Sequence, residues 1–137
     1  MTVQEHADAY LGLLRATPRF PVHDGVVPAK TLPPYVVVYV VVDDSDGQSP
    51  EWGDGLDGVS GVVTARAYCH SVGGSAQAAR TVAGWVREQL LDKEPTVTGR
   101  TAGMIRKDFS SPPVRDESTG TPVMDQIDVY RLRTVRA

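Results

Sequence analysis

Residues 35–42 read Tyr-Val-Val-Val-Tyr-Val-Val-Val, six valines and two tyrosines with no charged side chain among them. β-Branched and aromatic side chains suit the pleated surface of a strand. An unbroken apolar run, unlike an alternating one, predicts a central strand covered on both faces. Such a strand needs other elements to cover it, so the rest of the chain has to supply them. The run is far shorter than the ~20 residues that a membrane-spanning helix requires. No membrane span is expected.

The flanking sequence supplies those elements. Val3, Ala7, Tyr10, Leu11 and Leu14 recur at helical spacing, with Thr2 as N-cap and Glu5 closing a capping box, which predicts a helix over 3–15. Pro18, Pro21, Gly25, Pro28, Pro33 and Pro34 break any regular pattern, so 16–34 reads as a proline-rich connecting arm. Residues 62–70 alternate, placing Val63, Ala65, Ala67 and Cys69 on one face. That pattern predicts a second strand, antiparallel to the first. After Gly73-Gly74, Ser75 caps a helix carrying Ala79, Val82, Ala83, Val86 and Leu90 on its apolar side, and Pro95 forbids its continuation. Extended segments at 97–107 and 123–135 form a second hairpin whose tip is the polar loop 108–122. The expected fold is α/β of the α+β two-layer kind: one domain over 1–137, order α-β-β-α-β-β. One mixed or antiparallel sheet of about four strands lies under two helices.

The stretch 43–61 holds six acidic residues, five glycines and no basic residue, which reads as a long acidic loop. The chain as a whole has 14 Lys and Arg against 17 Asp and Glu, a net charge of −3. No general attraction to nucleic acid or to an anionic membrane follows from that balance. The lone Cys69 can form no intramolecular disulfide, and residues 1–6 lack the order of a secretory signal, so a reducing cytoplasm is the expected site of folding.

Signatures of chemistry do not assemble. Aligning Asp44-Ser45-Asp46-Gly47 with a calcium loop puts its first and last ligand positions on Val42 and Gly53, neither of which carries a carboxylate. Cys69 and His70 are adjacent in a strand and so point to opposite faces, which argues against a thiol dyad and places Cys69 in the core. His6 and His23 read as ordinary surface histidines, with no spacing that joins them to His70 as ligands. Gly73-Gly74-Ser75 lacks a phosphate-loop lysine. Trp85 lies beside the apolar stripe of its helix, at the core margin or at a subunit contact, whereas Trp52 stands among glycines and acids and is a candidate partner contact. No catalytic, metal or cofactor residue is expected, and the protein reads as no enzyme.

Several segments resemble the tail terminator family, also called minor tail or tail completion proteins, of long-tailed bacteriophages infecting actinobacteria. The likeness lies in Leu32-Pro33-Pro34-Tyr35-Val36-Val37-Val38-Tyr39, where a proline-rich arm enters the first strand. It continues in the strand end, glycine turn and helix start Tyr68-Cys69-His70-Ser71-Val72-Gly73-Gly74-Ser75-Ala76-Gln77-Ala78-Ala79, in Trp85-Val86-Arg87 and Leu90-Leu91, and in Asp128-Val129-Tyr130-Arg131-Leu132. The resemblance implies a homohexameric ring on the last ring of the tail tube protein, which stops tube growth and offers a surface for head joining. It implies a virion location at the tail–neck junction, host cytoplasm during assembly, and the tube protein and a neck or head-completion protein as partners. The alternative is a neck or head-completion protein of the same phage type; a small enzyme is a more distant reading. The acidic loop after the first strand departs from the family pattern. Opposite charges on separate edges could set subunit register, so Asp43, Asp44, Asp46, Trp52, Asp54, Arg131 and Arg133 are the candidate contacts between subunits or with partners.

Overall fold

The computed structural model describes residues 3–43, 62–118 and 120–136. Helix α1 (Val3–Ala16) turns His6, Ala7, Tyr10, Leu11 and Leu14 inward. Thr2, its expected cap, lies outside the described residues. Helix α2 (Ala76–Leu90) begins as expected on Ser75, whose hydroxyl accepts from the Ala78 amide at 3.1 Å. It ends before Pro95 is reached: Asp92 takes a left-handed φ of 63°, and its amide donates to the Ile105 carbonyl at 2.9 Å, out of the helical path.

Seven strands form one mixed sheet: β1 (Val22–Asp24), β2 (Tyr35–Asp43), β3 (Val63–Gly73), β4 (Arg100–Ala102), β5 (Arg106–Ser110), β6 (Val114–Asp116) and β7 (Val123–Arg136). The path runs β1-β2-β3-β7-β4, and β5 and β6 also pair with β7. β2 and β3 are antiparallel, as alternation predicted, with Tyr39 opposite Tyr68 and Val38 opposite Cys69. Among the described residues, α1 and α2 lie on one face of the sheet, here called inner. The core joins Tyr10, Leu11 and Leu14 of α1 and Val82, Trp85, Val86 and Leu90 of α2 to Val36, Val38, Tyr130 and Leu132 of the sheet. β3 contributes Ala65, Ala67 and Cys69 to that core, small side chains that let the helices approach the sheet closely. The Tyr10 hydroxyl reaches through the core to donate to the Ala65 carbonyl at 2.8 Å, which satisfies a polar atom that would be costly to bury alone.

The structure corrects several expectations. Among the described residues there are seven strands where about four were expected, because short pieces lie inside segments read as loop. Val22–Asp24 within the proline-rich arm pairs parallel to β2, and Phe109, Ser110 and Val114–Asp116 within 108–122 pair with β7. The segment 97–107 is not one strand: Gly103 to Ile105 leave the ladder, and Ile105 plugs the core. β2 is covered on both faces only over its first four residues. There the proline-rich arm crosses the outer face, and Val27 packs against Tyr35, Val37, Val72 and Val123. Beyond Val38 that cover ends. His6 is fully buried, with Nε2 at 2.8 Å from the Thr134 hydroxyl, so it is no surface histidine. Trp85 is buried in the core, edge-on to Phe20 from the arm at 5.5 Å, rather than at the margin.

Candidate interaction surface

The outer face of the sheet carries a cross-strand group of exposed apolar side chains. The register lines up Tyr39 (β2), Tyr68 (β3), Val129 (β7) and Phe109 (β5) as one row across four strands. Tyr39 is 46% exposed, Tyr68 37% and Phe109 55%, while Val129 is buried between its neighbours; on the same face Val41 is 55% exposed and Val114, paired further along β7, 56%. A lone exposed valine is ordinary, but a cross-strand row of aromatics on an uncovered sheet face is the kind of surface that marks a protein contact. A bulge at Asp108 makes the row possible. One extra residue between Lys107 and Phe109 turns Asp108 and Phe109 both to the outer side.

Charged pairs flank the row. On one side Val41, Arg66, Arg131 and Arg106 follow each other across the strands. The Asp108 carboxylate lies between two of these arginines, 3.3 Å from Arg66 Nε and hydrogen-bonded to Arg131, while Arg106 is paired with Asp92. On the other side His70 Nδ1 lies 2.9 Å from the Asp125 carboxylate, and its ring meets that of Tyr39 edge-on at 5.4 Å. The result is an apolar stripe with a polar border, the anatomy of a contact surface.

The sequence-derived candidates divide by position. Asp44, Asp46, Trp52 and Asp54 lie outside the described residues. Asp43 closes β2 on the outer face, opposite Thr64. Arg131 and Arg133 both stand on the outer side of β7, and Arg131 is engaged by Asp108 within the chain. Tyr39, Tyr68 and Phe109 were not singled out from sequence. The first two sit in runs whose apolar neighbours are buried, and Phe109 faces outward through a bulge that no local pattern announces.

Cys69 belongs to the core, as its alternation implied. It is fully buried, and burial, with the Asp128 carboxylate adding to it, pushes its thiol well above the ordinary range. A thiol held protonated and out of reach is the opposite of a nucleophile. His70 projects from the other face, so the two do not meet.

The fold matches that of a solved virion chain. A chain of the virion of a native gene transfer agent particle superposes with a TM-score of 0.68, at 18% sequence identity, over 92% of this chain and 91% of that one. The likeness spans both chains nearly end to end, so it concerns the whole arrangement of helices and sheet and not a shared fragment. No protein-family profile matches the sequence, and no curated protein matches it.

Proposed function

We propose that this protein is a structural component of a bacteriophage virion, and within it the tail terminator: a ring-forming subunit that closes the head-proximal end of the tail tube. The observation that carries the reading is the end-to-end fold likeness to a chain of a gene transfer agent virion. The uncovered stripe of Tyr39, Tyr68 and Phe109 supports it, because a subunit built for assembly needs apolar area left for its neighbours. The placement at the tail end rests on the segments that resemble the terminator family. A closed ring whose subunits meet through two different patches is the physical way to cap a tube with copies of one chain. Its partners are further copies of itself, the tail tube protein and the neck protein.

The test is electron microscopy of lysates in which the gene is inactivated, scoring tail length and head attachment. Overlong tubes without heads are expected. Tails of normal length beside unjoined heads would move the protein to the neck and refute the terminator reading.

A further inference from the structure

At the margin of the inner face, helix α2 and strands β5 and β7 line an open pocket of about 280 Å³. Arg80, Ala83, Gly84 and Arg87 line it from α2, a spacing that puts them on one helical stripe with the two small residues between the two arginines. Lys107 lines it from β5, opposite Tyr130 in the register. Tyr130 is fully buried, and its hydroxyl has no hydrogen-bond partner among the described residues. A buried phenol normally finds an acceptor.

The one anion lining the pocket is already occupied. Asp128 accepts from the Ser110 hydroxyl with one oxygen and from Gln126 Nε2 at 3.3 Å with the other. Arg80, Arg87 and Lys107 make no ion pair among the described residues, whereas Arg66, Arg106, Arg115 and Arg131 are each matched to a carboxylate. Three unmatched cations around an unmatched hydroxyl donor are complementary to a carboxylate, which offers two acceptor oxygens to guanidinium forks.

We propose that this pocket receives an aspartate or glutamate from the acidic segment 43–57 of a second copy of this chain. The inference rests on the ring-forming reading above and names the contact that joins neighbours. Charge selects the occupant: that segment holds Asp43, Asp44, Asp46, Glu51, Asp54 and Asp57 with no basic residue, and the pocket is its cationic counterpart. The carboxylate accepts from Arg80, Arg87 and Lys107 at the mouth and from the Tyr130 hydroxyl at the floor. The contact is heterologous, loop to pocket, as ring closure requires.

The test is a titration of a fluorescein-labelled peptide of residues 43–58 with the full chain, followed by anisotropy. Saturable binding that weakens with added salt is expected, lowered about tenfold or more by R80E/R87E and by the charge-only variant R80Q/R87Q. Tyr130→Phe keeps the ring and removes an unpartnered buried hydroxyl, so it leaves the fold as stable or more so, yet it weakens peptide binding several-fold. A merely structural Tyr130 would leave binding unmoved. Absence of binding to the wild-type chain, equal binding by R80E/R87E, or equal binding of a scrambled peptide of the same composition would each overturn the proposal. Displacement of the peptide by millimolar inorganic phosphate would do so too, by showing a pocket for any small anion. Sedimentation of the wild-type chain keeps the two readings apart: rings that form without peptide binding refute the pocket alone, and a chain that forms no ring and caps no tube refutes the terminator.

Discussion

Gly73 and Gly74 look interchangeable in the sequence, and the structure predicts that they respond oppositely to the same substitution. A Cβ on Gly73 would stand 2.4 Å from the Ala79 amide nitrogen, 2.7 Å from the Ala78 carbonyl carbon and 2.7 Å from the Ala78 Cβ. A Cβ on Gly74 meets nothing within 4 Å. The obstructing atoms at Gly73 are chiefly backbone of the first turn of α2, pinned by the Ser75 cap and by the core beneath Ala79 and Val82, so no flexible side chain can move aside. Overpacking a fitted site costs about 1–3 kcal/mol, and an obstacle of backbone places Gly73→Ala at the upper end, ~3 kcal/mol. For a chain of this size that lowers Tm by roughly 10 °C. Gly74→Ala changes stability by no more than about 0.5 kcal/mol and is as apt to stabilise, since alanine narrows the unfolded ensemble. Thermal melts followed by circular dichroism, with urea midpoints as a second measure, decide it. A Gly73→Ala protein melting within about 2 °C of wild type would show that the strand–helix junction is looser than this packing implies.

Further expectations follow from other sites. His6→Ala leaves the buried Thr134 hydroxyl without its contact to the ring and opens a hole under α1, and chemical denaturation should register a loss of about 1–3 kcal/mol. Burial raises the pKa of Cys69 from 9.0 and of Tyr10 and Tyr130 from 10.0, so the folded chain keeps protons that the unfolded chain releases. Stability is therefore full below pH 9.0 and falls as the pH rises, more steeply beyond 10.0; Cys69→Ala should move the onset upward, and a urea midpoint that stays flat to about pH 10.5 would contradict the assignment. Phe109→Glu and Tyr68→Glu alter exposed side chains, so the monomer should keep its stability within about 0.5 kcal/mol while assembly is lost in sedimentation and tail-capping assays. Survival of assembly in both variants would remove the outer stripe from the contact surface.

The legible parts of the fold were those where one period dominates a long segment. The stripe of α1, the Ser75 start of α2 and the alternation of β3 each declare themselves locally, and the structure bears them out. β1, β4 and β6 are strands of three residues whose existence depends on a partner strand, and three residues carry no readable period. His6 shows the same limit in one side chain. Its neighbours Glu5 and Asp8 are polar, yet it faces Thr134, a residue 128 positions along the chain. The interaction surface was the least legible, because the row Tyr39–Tyr68–Val129–Phe109 is a property of register among four strands. The cationic pocket was equally hidden, since it exists only where the fold brings Lys107 and Tyr130 beside Arg80 and Arg87.

One strand holds this sheet together, and that has a consequence for when the protein can act. β7 pairs with β3, β4, β5 and β6, and it follows every one of them in the chain. Its ladder with β3 joins Val63 to Thr134 and Gly73 to Met124, so the pairing must close over long stretches of intervening chain, a slow event in folding. Until it closes, the outer stripe does not exist, since Val129 is its middle member and Phe109 is held only through β7. A slip of one residue in β7 would send Val129 to the helix side and break the row. If the chain assembles through this surface as proposed, a neighbour that binds it inspects the finished sheet, and only subunits folded in register are admitted.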